Sequence, residues 1–141
     1  MLIQTRALDV PNGSTANGTD LQQWDVTGGG GANQKFKIIA SGDFFALHPV
    51  HAPNSALEIT NNSNANDAIV QIWEKYPSGY MDSQKFKIIM TSDGLYAIQS
   101  FASYYFKLIA VQGGSKNNGA KIVHSDSVPL NSRLWYLVPS P

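Results

Sequence analysis

The chain has 141 residues, enough for one domain that buries about two thirds of the surface exposed in its unfolded form. Ten basic side chains balance ten acidic ones, and charged residues make up only 14%, so nothing favours nucleic acid or an anionic membrane surface as a partner. No apolar stretch approaches the roughly 20 residues of a membrane-spanning helix, so membrane insertion is not expected. The absence of cysteine excludes disulfides, thiolate metal sites and a cysteine nucleophile. It fits a cytosolic or non-classically released protein, and also a module of a larger secreted one.

The chain repeats itself three times with a period of about fifty residues, at approximately 7–47, 56–99 and 107–138. The hexapeptide Gln-Lys-Phe-Lys-Ile-Ile occurs at 34–39 and again at 84–89. The third copy is fainter, but residues 114–119 align without gaps on residues 13–18. We therefore expect one domain, 1–141, built from three equivalent units.

Each repeat is divided by Gly, Asn, Ser and Pro clusters into short runs that are rich in β-branched and aromatic residues, which predicts strands and turns with very little helix. In chain order, the predicted strands are 7–10, 21–24, 35–39 and 44–47, then 56–59, 69–73, 85–89 and 95–99, then 107–111, 121–124 and 134–138. The third repeat is one strand short, so we expect residues 2–4 to complete it. An all-β closed barrel with threefold repetition follows, because a sandwich gives no reason for three copies.

The repeats close with Gln34-Lys35-Phe36, Gln84-Lys85-Phe86 and Arg133-Leu134-Trp135. This pattern resembles the Gln-x-Trp motif of the ricin B-type lectins and family 13 carbohydrate-binding modules, although Phe replaces Trp twice and Arg replaces Gln once. The resemblance covers essentially the whole chain and implies a β-trefoil fold and carbohydrate binding without enzymatic activity.

Aromatic and aliphatic side chains at equivalent positions are interpreted as the core, not as parts of a site. They are Phe36, Phe86 and Trp135, with Leu8, Val10, Leu57, Ile59, Ile109 and Val111.

The first repeat carries a candidate sugar site. An acidic residue between two core aliphatics points outward, and it is followed at thirteen, fifteen, twenty-four and twenty-five residues by polar or aromatic side chains: Asp9, then Gln22, Trp24, Asn33 and Gln34. The resemblance implies that Asp9 accepts hydrogen bonds from sugar hydroxyls, that Trp24 stacks on the ring and that Asn33 binds a hydroxyl, while the two glutamines support the site. A pyranose also needs such a set on chemical grounds: an acceptor, an amide and an aromatic plate. Asn12, in the turn after Asp9, is included in the predicted site.

The second repeat keeps the pattern with changes, and the third loses it. Glu58, Gln71, Trp73 and Gln84 are predicted to form a second sugar site, with Ser83 at the Asn33 position and one residue inserted after Trp73. In the third repeat Ala110, Val123 and Ser125 occupy the acid, amide and aromatic positions, so no sugar site is expected there.

The sequence gives little support for metal binding, catalysis or cofactor binding. His48, His51 and His124 do not have the spacing of a metal site and are expected to be loop residues without a ligand role. Asp9 and Asp25 could suggest a glycosidase, but shallow loops would not keep one carboxyl group protonated. No nucleotide, phosphate-loop or serine-hydrolase motif is present, and no cofactor is expected.

The sequence thus predicts a lectin for galactose or GalNAc-type glycans that uses the first repeat and, as a weaker site, the second. The sugar type rests on the resemblance alone. The alternatives are a protease inhibitor or another interaction protein of the same fold, and the sugar-targeting module of a larger toxin or glycosidase. Cross-linking of cells requires two sites, which either the second repeat or a homodimer would supply.

Overall fold

The structure is a computed structural model, and it describes residues 6–26, 29–91 and 93–140. These residues form strands and short 3-10 turns, and they contain no α-helix, which confirms the all-β prediction. The strands are β1 Arg6–Asp9, β2 Thr19–Asp20, β3 Gln22–Asp25, β4 Phe36–Ser41, β5 Phe44–Pro49, β6 Ser55–Ile59, β7 Ala68–Glu74, β8 Phe86–Met90, β9 Tyr96–Ser100, β10 Leu108–Val111 and β11 Ile122–Ser125. The 3-10 turns are Pro11–Gly13, Ala32–Gln34, Thr60–Asn62, Asp82–Gln84, Phe101–Ser103, Gln112–Gly114 and Leu130–Ser132.

Every repeat opens with an antiparallel pair of strands in the same register. Asp9 lies opposite Gln22 in β1 and β3, Glu58 opposite Gln71 in β6 and β7, and Ala110 opposite Val123 in β10 and β11. The equal spacing of thirteen residues in the sequence therefore becomes an equal pairing in space.

A left-handed turn follows each opening strand. The second and third residues of the turn have positive φ in all three repeats: Asn12 and Gly13, Asn61 and Asn62, Gly113 and Gly114. Asn and Gly adopt this conformation at little cost, which explains why the three turns keep these residue types.

The second strand pair is complete in two repeats and reduced in the third. Strands β4 and β5 pair along their full length, as do β8 and β9. The predicted strand 134–138 is wrong for the most part, because the only pairing there is a bridge between Trp135 and Tyr96. The predicted strand 2–4 lies outside the described residues.

The interior confirms the core interpretation. Val10, Leu57, Ile59, Ile109 and Val111 are buried in one cluster that draws on all three repeats. Of the three motif aromatics, Phe86 is fully buried, whereas Phe36 and Trp135 are partly buried against the same cluster.

Backbone hydrogen bonds join the repeats at the centre. Leu21 donates to the Val70 carbonyl at 2.9 Å, and Ile122 donates to the Leu21 carbonyl at 3.1 Å. One residue from each repeat is thus linked to the next, and the fully buried side chains of Leu21, Val70 and Ile122 form part of the core. The described residues contain no helix long and apolar enough to cross a membrane.

The expectation of three loop histidines is wrong for two of them. His48 lies in β5 and is buried, donating from Nδ1 to the Pro53 carbonyl and accepting at Nε2 from the Tyr80 hydroxyl. His124 lies in β11 and is fully buried. Only His51 lies in a turn, where its Nε2 donates to the Ser14 carbonyl.

His124 has a fixed tautomer. Its Nε2 is 2.8 Å from the Ala65 carbonyl oxygen and must donate, so its Nδ1 accepts from the Ser100 hydroxyl at 2.7 Å. Burial lowers the pKa of His124 below its ordinary value of 6.5 because the interior disfavours the charged ring. Both ring nitrogens of this buried residue are therefore engaged in hydrogen bonds within the protein.

Candidate functional site

The predicted first site begins with a cross-strand pair. Asp9 ends β1 and lies directly opposite Gln22, so the two side chains share a face of the strand pair. Gln22 Nε2 donates to Asp9 Oδ1 at 2.8 Å.

The turn Ala32–Gln34 supplies two more amides to the same carboxylate. A backbone hydrogen bond of 3.0 Å from the Val10 N–H to the Asn33 carbonyl joins the turn to the residue after Asp9. Asn33 Nδ2 and Gln34 Nε2 then donate to Asp9 Oδ2 at 3.2 and 3.0 Å. We call Asp9, Gln22, Asn33 and Gln34 the Asp9 cluster. Its members lie up to twenty-five residues apart in the chain, and the structure brings them together as the spacing predicts.

Asp9 is not a solvated surface side chain. Asp9 is only 4% exposed, although it lies on the outer face of the strand pair. Three amide N–H groups compensate for the water that the carboxylate loses on burial. A carboxylate has about four acceptor positions, so roughly one remains for a hydroxyl of a ligand.

The second hydrogen of each turn amide is also occupied. Asn33 Nδ2 donates to the Val10 carbonyl, and Gln34 Nε2 donates to the Asp25 carbonyl. Within the described residues, the Asn33 amide oxygen accepts no hydrogen bond, so it is the atom of Asn33 best suited to meet a hydroxyl.

Trp24 lies on the same face as the Asp9 cluster. Side chains alternate along β3, so Gln22 and Trp24 point to one side and Gln23 to the other. Trp24 is 41% exposed, whereas Gln23 is buried. The site thus combines an exposed aromatic ring with a nearly buried acceptor, both positioned by the β1–β3 strand pair.

Asn12 is the predicted site residue that the structure does not join to the others. It is exposed, has a φ of 55°, and makes no side-chain hydrogen bond to any described residue. Asn61 and Gly113 adopt the same conformation at the equivalent positions, so the turn itself explains the Asn at position 12.

The second repeat forms a reduced version of the cluster. Glu58 Oε2 accepts from Gln71 Nε2 at 3.1 Å, and Oε1 accepts from the Ser83 hydroxyl at 3.0 Å. Gln84 does not reach Glu58; its Nε2 donates instead to the Trp73 and Glu74 carbonyls. Glu58 therefore has two donors where Asp9 has three, and Trp73 is less exposed than Trp24.

Apolar packing replaces the cluster in the third repeat. Ala110 and Val123 are fully buried and pack with Val128 and Ile69. Ser125, at the aromatic position, is also fully buried. The residues at these positions supply neither a carboxylate nor a plate.

The motif glutamine has a second role that the sequence reasoning missed. Gln34 and Gln84 donate to the carbonyls of Asp25 and Glu74, the residues that follow the two tryptophans. Arg133 donates in the same way to the Asp126 carbonyl at 3.3 Å. The substitution of Arg for Gln therefore keeps the hydrogen bond to this carbonyl.

Two depressions of 420 and 370 Å³ lie near the junction of the first two repeats, and neither is lined by a predicted sugar-binding residue. Among the described residues, no group of three or more His, Asp or Glu side chains could hold a metal ion. The Asp9 cluster therefore lies outside both depressions, beside the partly exposed ring of Trp24.

Comparison with known proteins identifies one matching family and several similar structures. Residues 3–73, half of the chain, match the family described as ricin-type beta-trefoil lectin domain-like. No curated protein matches the sequence. The chain is similar in structure to ThreeFoil, a designed 3-fold symmetric protein, with 26% identity, a TM-score of 0.85, and coverage of 96% of this chain and 91% of that one.

Two further solved structures are similar. The first is 1,3Gal43A, an exo-beta-1,3-galactanase from Clostridium thermocellum, with 27% identity and a TM-score of 0.78; the match covers 93% of this chain and 27% of that one. The second is the C-half of the earthworm R-type lectin in complex with GalNAc, with 15% identity, a TM-score of 0.64, and coverage of 90% and 85%. At 15% identity, this last likeness shows the fold alone.

Proposed function

This chain belongs to the ricin-type beta-trefoil lectin domain-like family, and we propose that its first repeat binds galactose or GalNAc-type glycans. The fold is an all-β trefoil with three repeats, and the family supports carbohydrate binding in general. The names of two similar structures, a beta-1,3-galactanase and a lectin in complex with GalNAc, favour the galactose type.

The observation that carries the proposal is the Asp9 cluster beside the exposed ring of Trp24. The amides hold the carboxylate in place before a ligand arrives, and this reduces the entropy cost of binding. The ring of Trp24 offers an apolar plate for the C–H face of a sugar. A hydroxyl that donates to Asp9 and another that donates to the Asn33 amide oxygen would fix the orientation of the sugar.

The second repeat is proposed as a weaker site. Glu58 has fewer donors around it than Asp9, so its carboxylate is less firmly held. A single open site for a monosaccharide binds near millimolar, or about −4 kcal/mol, so useful binding to a cell surface depends on joining sites.

The two alternatives predict different behaviour. A protease inhibitor of the same fold would bind an enzyme cleft through its loops and would not need an acceptor cluster beside an exposed tryptophan. A targeting module of a larger enzyme would keep the sugar site. The similarity to 27% of the galactanase chain makes the module a reasonable second candidate.

Titration calorimetry with galactose and GalNAc, with glucose as the control sugar, tests the proposal. We expect weak binding of galactose and GalNAc, a change of tryptophan fluorescence on binding, and the loss of both in Trp24→Ala. Trp73→Ala is the matched control and should keep the stronger binding event. Undiminished binding in Trp24→Ala would show that the first repeat does not hold the sugar.

Agglutination tests the use of two sites. If the protein agglutinates cells, the double variant Asp9→Ala, Glu58→Ala should abolish the activity, whether the second repeat or a homodimer supplies the second site. Agglutination that survives in the double variant and is still inhibited by galactose would contradict the assignment.

A further inference from the structure

We propose that the third repeat, which has no cluster of its own, positions the aromatic plate of the first-repeat site through Asn118 and Gly119. These two residues belong to the loop 115–119, which we call the clasp loop. The sugar-affinity part of this inference rests on the proposed function, whereas its geometric part does not.

The clasp loop holds the backbone on both sides of Trp24. The Gly119 N–H donates to the carbonyl of Gln23 at 2.9 Å, and the N–H of Asp25 donates to Asn118 Oδ1 at 3.0 Å. Asn118 Nδ2 also donates to the Asp25 carboxylate at 3.0 Å. The residues before and after Trp24 are thus both tied to another repeat, more than ninety positions away in the chain.

Gln23 strengthens this junction from the opposite face of β3. Its buried amide Nε2 donates to the carbonyls of Ser115 and Asn117, both at 2.9 Å. The strand that carries Trp24 and the clasp loop therefore move as one unit. A shift of the loop would change the orientation of the Trp24 ring.

The ring itself lies beside Gly119. A Cβ at this position would stand 3.9 Å from Trp24 Cζ3, which is an ordinary contact, so a larger side chain would meet the ring. Gly119 has a φ of 87°, a conformation that side chains disfavour. Glycine thus adopts this positive φ without strain and leaves room for the Trp24 ring.

Equivalent hydrogen bonds occur at the other two junctions between repeats. From the first repeat to the second, Asn17 Oδ1 accepts from the Glu74 N–H at 2.8 Å, and Gly18 donates to the Ile72 carbonyl at 2.9 Å. A Cβ at Gly18 would stand 3.7 Å from the Trp73 ring.

From the second repeat to the third, Asn66 Oδ1 accepts from the Asp126 N–H at 3.0 Å, and Asp67 donates to the His124 carbonyl at 3.1 Å. Here the aromatic position is Ser125, and Asp67 takes the place of glycine. Glycine therefore occurs in the two junctions that face a tryptophan and is absent from the one that does not. The occurrence of glycine opposite each tryptophan indicates that the junction positions the aromatic ring as well as joining the repeats.

Three variants that each remove the asparagine Oδ1 acceptor of a backbone N–H separate positioning from simple stabilisation. Asn66 is the closer match to Asn118, because both asparagines also donate from Nδ2 to an aspartate carboxylate. In a Trp73→Ala parent, only the first-repeat plate remains, so sugar binding reports one site. Asn118→Ala acts on that site, whereas Asn17→Ala and Asn66→Ala remove the matching contact from junctions without a plate. Isothermal titration with galactose gives the affinity, thermal unfolding gives the stability, and the indole N–H signal in a nitrogen-15 NMR spectrum reports the surroundings of Trp24.

We expect a small decrease of the melting temperature in each variant, smallest in Asn17→Ala, which loses only the backbone hydrogen bond. Asn118→Ala should move the Trp24 indole signal and weaken galactose binding about three- to tenfold, the range expected for one net hydrogen bond. The two controls should keep the indole signal and an affinity within about twofold of the parent. Gly119→Asp, which copies the residue at position 67, should move the signal further.

The inference is overturned if the Trp24 signal stays in place in Asn118→Ala, or if the controls weaken binding as much. Failure of the proposed function looks different, because the Trp73→Ala parent then binds no sugar at all. In that case the indole signals alone test whether Asn118 positions the Trp24 ring. A shift confined to Asn118→Ala supports this role, and any other pattern rejects it.

Discussion

Replacement of Asp9 by alanine should lower both stability and sugar affinity, because one buried carboxylate serves both. Asp9 accepts hydrogen bonds from Gln22, Asn33 and Gln34 and is 4% exposed. Alanine leaves three amide N–H groups without their acceptor. Each net hydrogen bond contributes about 1 kcal/mol, and water entering the vacated space offsets a part, so the expected loss of stability is about 2–3 kcal/mol.

The corresponding change in melting temperature follows from the chain length. An unfolding entropy of about 2.1 cal/mol/K per residue gives roughly 0.3 kcal/mol/K for a chain of 141 residues. The melting temperature of Asp9→Ala should therefore fall by about 7–10 °C. Loss of the acceptor should also weaken galactose binding about tenfold to hundredfold, equivalent to roughly 1.5–3 kcal/mol.

Thermal unfolding followed by circular dichroism and calorimetric titration measure the two effects. Asp43→Ala is the matched control, since Asp43 is exposed in the turn between β4 and β5 and its loss should change stability by less than about 0.5 kcal/mol. Glu58→Ala removes an acceptor that has two donors, so its loss of stability should lie between those of Asp43→Ala and Asp9→Ala. If Asp9→Ala had the melting temperature of the wild type, the Asp9 cluster would not stabilise the protein as argued. If it bound galactose with the wild-type affinity, Asp9 would not belong to the sugar site.

Three further predictions concern the core and the third repeat. Phe86→Ala should destabilise the protein by about 3–5 kcal/mol in denaturant unfolding, and clearly more than Phe36→Ala, because Phe86 is fully buried and Phe36 only partly. Because burial lowers the pKa of His124, its contribution to stability is present above pH 6.5, the ordinary value, and is lost as the pH falls through the lowered pKa; His124→Gln should reduce the difference in melting temperature between neutral and acidic buffer. Ala110→Asp should create no sugar binding and should strongly lower the melting temperature, since it buries a carboxylate against Val123 and Val128 without amide donors; a stable variant that binds galactose would contradict this.

The sequence determined the repeat, most of the strands and the composition of the Asp9 cluster. Asp9 and Gln22 are thirteen residues apart, as are Glu58 and Gln71, and a strand pair with one register converts that spacing into contact. The alternation of polar and apolar residues placed the core side chains correctly, since only one face of such a strand can be buried. These features depend on contacts inside one repeat, which local patterns encode.

The tertiary structure alone decided the contacts between repeats and the burial that results from them. No local pattern indicated that Asp9 would be almost buried or that His124 would lie in the interior, because exposure depends on which other segments cover the residue. Nor did it indicate that Asn118 would bracket Trp24, since the two belong to repeats that meet only when the three units close around a common centre. The physical reason is that hairpin register is fixed over a few residues of chain, whereas these junctions arise from packing between segments more than ninety residues apart.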